Sequence, residues 1–177
     1  TPDAVISDAL VKMGHAWRLA GEAKVPAAAQ WITDFLESGE PLVVFYEHKN
    51  VKNQLAPLLD KAIGADRWTF IDGSVNAQEK FRRVEAFQNG EVDVILSSKA
   101  GREGIDLVRA TNLLFVEYWW VPAQMEQAED RIHRATQKGQ VTIYYLLGLD
   151  TFDEHVDALI QGKKQIIRQV MGEELAD

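Results

Sequence analysis

No cysteine occurs among the 177 residues, so disulfides and thiolate metal sites are excluded. A chain of this length can bury a full core without such staples. Long apolar runs are also missing. The uncharged stretches fall far short of the ~18 residues that a membrane span needs, and no basic segment followed by an apolar run marks a secretion signal at the N-terminus. Positive charge is in deficit: 19 Lys and Arg face 27 Asp and Glu, a formal net charge of −8. This balance argues against a protein that coats nucleic acid by bulk electrostatics, though not against a groove contacting a few phosphates. No segment matches the G-x-x-x-x-G-K-[ST] phosphate loop; Gly162-Lys163 comes nearest, with Asp157 where the first glycine belongs. His15, His133 and His155 have no partners at metal-ligand spacing, so no metal site is expected. Internal repeats, low-complexity tracts and a second domain are absent as well. The chain opens on Thr-Pro-Asp rather than Met, which points to a piece of something longer.

What remains is an ordinary globular composition, 46% hydrophobic and 26% charged. Helices are expected over 3–20 and 24–38, the second carrying Ala27, Ala28, Trp31, Ile32, Phe35 and Leu36 at helical spacing. The run 42–46 is apolar on both faces, as a buried parallel strand requires. A helix with Val51, Leu55, Leu58 and Leu59 follows, then a strand at 68–71. Asn76 and Glu79 form a capping-box pattern opening a helix with Phe81, Val84 and Phe87 inward, which Asn89-Gly90 ends. Further strands are expected at 92–96, 113–116 and 141–147, with helices from Pro122 to about 137 and from Thr151 to about 171. Such alternation predicts an α/β fold, a doubly wound, mainly parallel sheet with helices on both faces. Ligands in these folds sit beyond the carboxyl ends of the strands, so function is sought in the loops that follow them.

Two constellations stand out. Residues 97–107 follow a buried strand and contain Ser98, Lys99, Gly101, Arg102, Gly104 and Asp106. Glycines here permit close approach of backbone to a ligand, and amides with Ser98 and Lys99 can hold a phosphate. An ordinary strand-to-helix turn reads the same way. Further on, Gln127, Arg131 and Arg134 fall at i, i+4 and i+7 of the helix begun at Pro122 and share one face. Guanidinium forks match phosphate oxygens bidentately. The competing reading is a solvated face paired with Glu129 and Asp130.

In order and spacing, the two together resemble motifs V and VI of the superfamily-two helicases, and within them the Swi/Snf type, nearest to its annealing-helicase-like branch. Residues 99–107 resemble motif V, and 127–134 followed by Gln137 resemble motif VI. Tyr118 to Ala123 resembles the aromatic-x-Pro entry to the motif VI helix, residues 43–48 resemble motif IV, and Asp72-Gly73-Ser74 with Arg82 and Arg83 resembles the block that follows. Val141 to Val156 resembles the closing strand and helix start. The pattern covers roughly 24 to 160. It departs from the family at Arg102-Glu103 and Ala135-Thr136, without removing a phosphate-gripping group.

The resemblance implies one C-terminal RecA-like domain, a P-loop NTPase fold lacking its own P-loop, with 1–23 as a linker helix, 24–160 as the motif core and 161–177 as a C-terminal helix. It implies the second motor lobe of an ATP-dependent DNA translocase. ATP with Mg2+ would be held mainly by the missing N-terminal RecA-like lobe of the same polypeptide, so the isolated domain is expected to be inactive as an ATPase. Arg131 and Arg134 would be arginine fingers, with Gln127 ordering the γ-phosphate region. Gly104 and Asp106 would couple the ATP cleft to the track. His48, Lys49, Asn50, Gly73, Ser74, Ser98, Lys99 and Arg102 would contact nucleic acid, expected to be double-stranded DNA. No membrane is implied; the compartment would be cytoplasmic in a prokaryote or phage and nuclear in a eukaryote. Asp153-Glu154-His155-Val156 mimics the first lobe's magnesium box, but it opens a helix where that box ends a buried strand, and its acids suit a helix N-terminus. Two other readings stand beside this one: a non-catalytic DNA- or protein-docking module that retains the fold, and an unrelated doubly wound domain that binds a small ligand.

Overall fold

The computed structural model describes residues 2–101, 107, 109–117 and 142–147. Two helices open the chain, α1 (Pro2–Ala23) and α2 (Val25–Phe35). They are split at Lys24, and Pro26, whose ring nitrogen carries no hydrogen, stands in the first turn of α2 where none is needed. A 3-10 turn over Leu36–Ser38 completes α2. Then follow β1 (Leu42–Phe45), α3 (Lys49–Ile63), β2 (Trp68–Ile71), α4 (Ala77–Gln88), β3 (Val94–Ser97), β4 (Asn112–Phe115) and β5 (Thr142–Tyr145). The expected helices at 122–137 and 151–171 lie outside the described residues.

All five strands pair in parallel, in the order β2-β3-β1-β4-β5. Alternate side chains divide the core into two layers. Val43, Phe45, Ile71, Ile95, Leu113 and Phe115 face α4 through Phe87. Leu42, Val44, Val94, Leu96 and Leu114 face α2 and α3 through Ala28, Ile32, Val51, Leu55 and Leu59. Strands β1, β3 and β4 are buried along their whole length, which explains their unbroken apolar runs. The sheet is doubly wound with helices on both faces, as the alternation of elements predicted.

Two expectations about α4 need correction. Phe81 is 64% exposed rather than inward. The inward stripe runs through the half-buried Lys80, Arg83 and Val84 to the fully buried Phe87. Each three-residue step falls about 60° short of a full turn, so Phe81 sits about 120° around the helix from Phe87. The capping box is also half made. Asn76 Oδ1 accepts from Glu79 N–H at 2.8 Å, but the Glu79 carboxylate turns forward to Arg82 and Arg83 instead of back to the cap. Those two guanidiniums pull Glu79 down to about 2. The predicted C-terminus of α4 is present, with Asn89 as cap and Gly90 at φ +82°.

Candidate nucleic-acid interface

Parallel pairing brings the loops after β1, β2, β3 and β4 to one edge of the sheet, and the helix α1 passes over it. The centre of this edge is Glu117, two residues beyond β4 and fully buried. Its Oε2 accepts from the backbone N–H of Glu47 at 2.7 Å and of His48 at 2.8 Å. Its Oε1 lies 2.7 Å from His48 Nδ1. A carboxylate only accepts, so Nδ1 carries the hydrogen and Nε2 is the nitrogen turned away. Three hydrogen bonds compensate the burial of this charge. Helix α1 approaches so closely that a Cβ on Gly21 would lie 2.2 Å from Glu117 Oε1. One turn earlier, the Trp17 ring meets the His48 imidazole edge-on, with centroids 4.9 Å apart.

The loops after β2 and β3 are joined through backbone. Ser98 N–H donates to the last carbonyl of β2, Ile71 O, at 3.2 Å. Gly101 N–H donates to Ser98 Oγ at 3.1 Å. A Cβ on Gly101 would fall 2.1 Å from Ile71 O and 2.9 Å from Asp72 N, so only glycine lets the chain pass here. A Cβ on Gly73 would lie 3.5 Å from Ala100 Cβ, in ordinary contact. Asp72 anchors its own turn, accepting from Ser74 N–H at 2.8 Å and from Ser74 Oγ. Its other oxygen lies 3.4 Å from both Tyr46 OH and Lys52 Nζ. Burial pushes Asp72 up, but the Ser74 hydrogen bonds and the Lys52 ammonium together hold it below the usual carboxylate range. Burial first, and then the Asp72 charge, raise the Tyr46 phenol well above its ordinary value. Lys52 also lies 3.9 Å from the centroid of the Phe70 ring, and Arg83 sits 4.5 Å from the same ring.

Of the residues expected to touch nucleic acid, His48, Lys49, Asn50, Gly73, Ser74, Ser98 and Lys99 lie together on this edge. Lys49, Asn50, Gly73 and Ser74 are exposed. His48 is turned to Glu117, Asn50 Nδ2 donates to Glu22 at 3.2 Å, and Lys99 Nζ pairs with Glu47 at 3.2 Å. Arg102, Gly104, Asp106, Gln127, Arg131 and Arg134 lie outside the described residues, as do Trp119 and Trp120. Sequence reasoning passed over Glu117 and gave Asp72 no role of its own. Both lie just beyond the carboxyl end of a parallel strand, the position that should have singled them out. Lys24 was missed too: it is 4% exposed and crosses to donate to Leu146 O at 3.0 Å, tying the α1–α2 junction to the end of β5.

Comparison with known proteins agrees with this architecture. Residues 27–136 match the model of the helicase conserved C-terminal domain. The chain is 34% identical over 151 residues to the Xenopus tropicalis SWI/SNF-related matrix-associated actin-dependent regulator of chromatin subfamily A-like protein 1, covering 84% of this chain and 16% of that one. It is 31% identical over 147 residues to the mouse DNA annealing helicase and endonuclease ZRANB3, covering 81% of this chain and 14% of that one. It therefore spans only about a sixth of the length of such relatives. Among solved structures, the C-terminal part of the Fun30 ATPase domain superposes with a TM-score of 0.68 at 22% identity, covering 86% of this chain and 46% of that one. The carboxyl-edge loops, the all-parallel sheet and the family match lead to one conclusion: this chain belongs to the helicase conserved C-terminal domain family, in its Swi/Snf type, and folds as the RecA-like lobe of that family.

Proposed function

We propose that this domain is the second motor lobe of an ATP-dependent translocase acting on double-stranded DNA. The observation that carries the reading is the convergence of His48, Lys49, Asn50, Gly73, Ser74, Ser98 and Lys99 at one sheet edge, within a chain of the Swi/Snf helicase family. The chain has no phosphate loop, and the described residues offer no carboxylate cluster for a metal. ATP and its Mg2+ are accordingly assigned to an N-terminal lobe, with this lobe closing over the phosphates. Arg131 and Arg134 would then stabilise charge on the transferred phosphoryl group, each worth ~10³ to 10⁵ in rate. Gln127 would order the γ-phosphate region, and Gly104 and Asp106 would link that cleft to the DNA track. Ser98, Lys99 and Arg102, with the loops after β1 and β2, would hold the backbone of the tracking strand.

The test is DNA-stimulated ATP hydrolysis by the full-length protein, beside the isolated domain and the full-length Arg134→Ala variant. Turnover by the parent, silence of the domain and a loss of orders of magnitude in the variant are expected. An inert parent, or an active Arg134→Ala variant, would replace this reading with a docking module that keeps the fold without the chemistry.

A further inference from the structure

The candidate phosphate-binding lysine of this edge is already occupied by an acid. Lys99 Nζ lies 3.2 Å from Glu47 Oε2, with both side chains about a quarter exposed. The backbone from which the Glu47 side chain springs is fixed, its N–H donating to Glu117 at 2.7 Å. Lys99 is flanked on another side by the Trp17 ring of α1, 5.7 Å from its ammonium. A second acid, Glu22 on α1, takes the amide of Asn50. Carboxylates thus contact four of the groups expected to meet a polyanion, His48, Asn50, Ser74 and Lys99. A carboxylate oxygen against an ammonium imitates the geometry of a phosphate oxygen against the same group.

We propose that Glu47 is an affinity-setting residue of the nucleic-acid edge, an internal phosphate mimic that DNA must displace before Lys99 can neutralise a backbone phosphate. This deepens the proposed function and rests on it. The physical consequence is twofold. Binding in the native protein breaks one ion pair for each phosphate contact that Lys99 makes, so little net charge is gained there. The freed Glu47 carboxylate is then left close to a phosphate, which it repels. Removing the Glu47 charge abolishes both penalties. Affinity rises, and the contact releases a counterion that it did not release before, which steepens the salt dependence by about one unit of log K against log salt.

The experiment is a titration of a fluorescently labelled DNA duplex with the full-length protein by anisotropy, at several salt concentrations. It compares native protein, Glu47→Gln, Lys99→Ala and the double variant, each checked by thermal melting. Glu47→Gln is expected to bind about two- to five-fold tighter at low salt, with a steeper salt slope, and to lose that advantage in the Lys99→Ala background. A residue needed only to hold the loop would weaken binding and leave the slope alone. Should Glu47→Gln melt early, Glu47→Asp, which keeps the charge but draws it back by one methylene, is expected to fall between native and Gln. If Lys99→Ala weakens binding while Glu47→Gln and Glu47→Asp do not strengthen it, the mimic is wrong and the nucleic-acid edge stands. If none of the variants changes affinity or slope, the reading of the edge itself fails, and this inference with it.

Discussion

Replacing Glu117 by alanine should be far more damaging than replacing it by glutamine, and the size of the difference follows from its contacts. Three hydrogen bonds end on this carboxylate, two from the amides of Glu47 and His48 and one from His48 Nδ1. Bonds to a charged group are worth about 1.5 to 3 kcal/mol each. Alanine relieves the cost of burying the charge but leaves the amides of Glu47 and His48 without their acceptor, so the net loss is about 3 to 4 kcal/mol. Glutamine keeps one oxygen for the two amides and can turn its NH2 to Nδ1 in the other imidazole tautomer, which limits its loss to about 1 kcal/mol. For a domain of this length each kcal/mol moves the midpoint by about 2 to 4 °C, so alanine should lower Tm by about 6 to 16 °C and glutamine by about 2 to 4 °C. Thermal unfolding followed by circular dichroism measures both. An alanine variant within about 2 °C of native would refute the placement of Glu117 as the anchor of the β1–α3 loop. Equal damage from the two variants would mean that charge, not hydrogen-bond geometry, is what the loop needs.

Gly101→Ala drives a methyl group into the backbone at the end of β2, at 2.1 Å from Ile71 O. A loss of about 1 to 3 kcal/mol is expected, and denaturant unfolding with a midpoint like native would show that the loop after β3 has room that the geometry denies. The acid limb of stability should depend on Glu79. Its carboxyl is lowered by Arg82 and Arg83 from 4.5 to about 2. A group depressed on folding stabilises above its unfolded value and loses that contribution as pH falls toward the folded one, so Glu79→Gln should flatten the stability profile between pH 4.5 and 2. An unchanged acid limb in the Gln variant would place the acid sensitivity elsewhere, Asp72 being the other carboxyl among the described residues whose value is lowered.

The elements of this fold were legible in the sequence because their causes are local. Apolar residues on both faces of 42–45, 94–96 and 113–115 leave no water-facing side, as suits a covered parallel strand. Asn76 announces α4 through its own side chain, and Asn89-Gly90 ends it. The grouping of the loops after β1, β2 and β3 on one edge also followed, since all parallel strands end on the same side. Other features needed the folded chain. The order β2-β3-β1-β4-β5 places β3 between β2 and β1, and β1 between β3 and β4, and no local pattern encodes such neighbours. Phe81 and Phe87 look equivalent in sequence, but the angle each makes to the sheet depends on how α4 is seated. Glu117 is a single acid after an apolar run; its importance comes from amides 69 and 70 positions away. The pairing of Glu47 with Lys99 likewise joins loops that only the sheet brings together. Sequence determines what each segment can bury, whereas tertiary structure decides which charges must then face one another, because Coulomb and hydrogen-bond partners are set by distance in space.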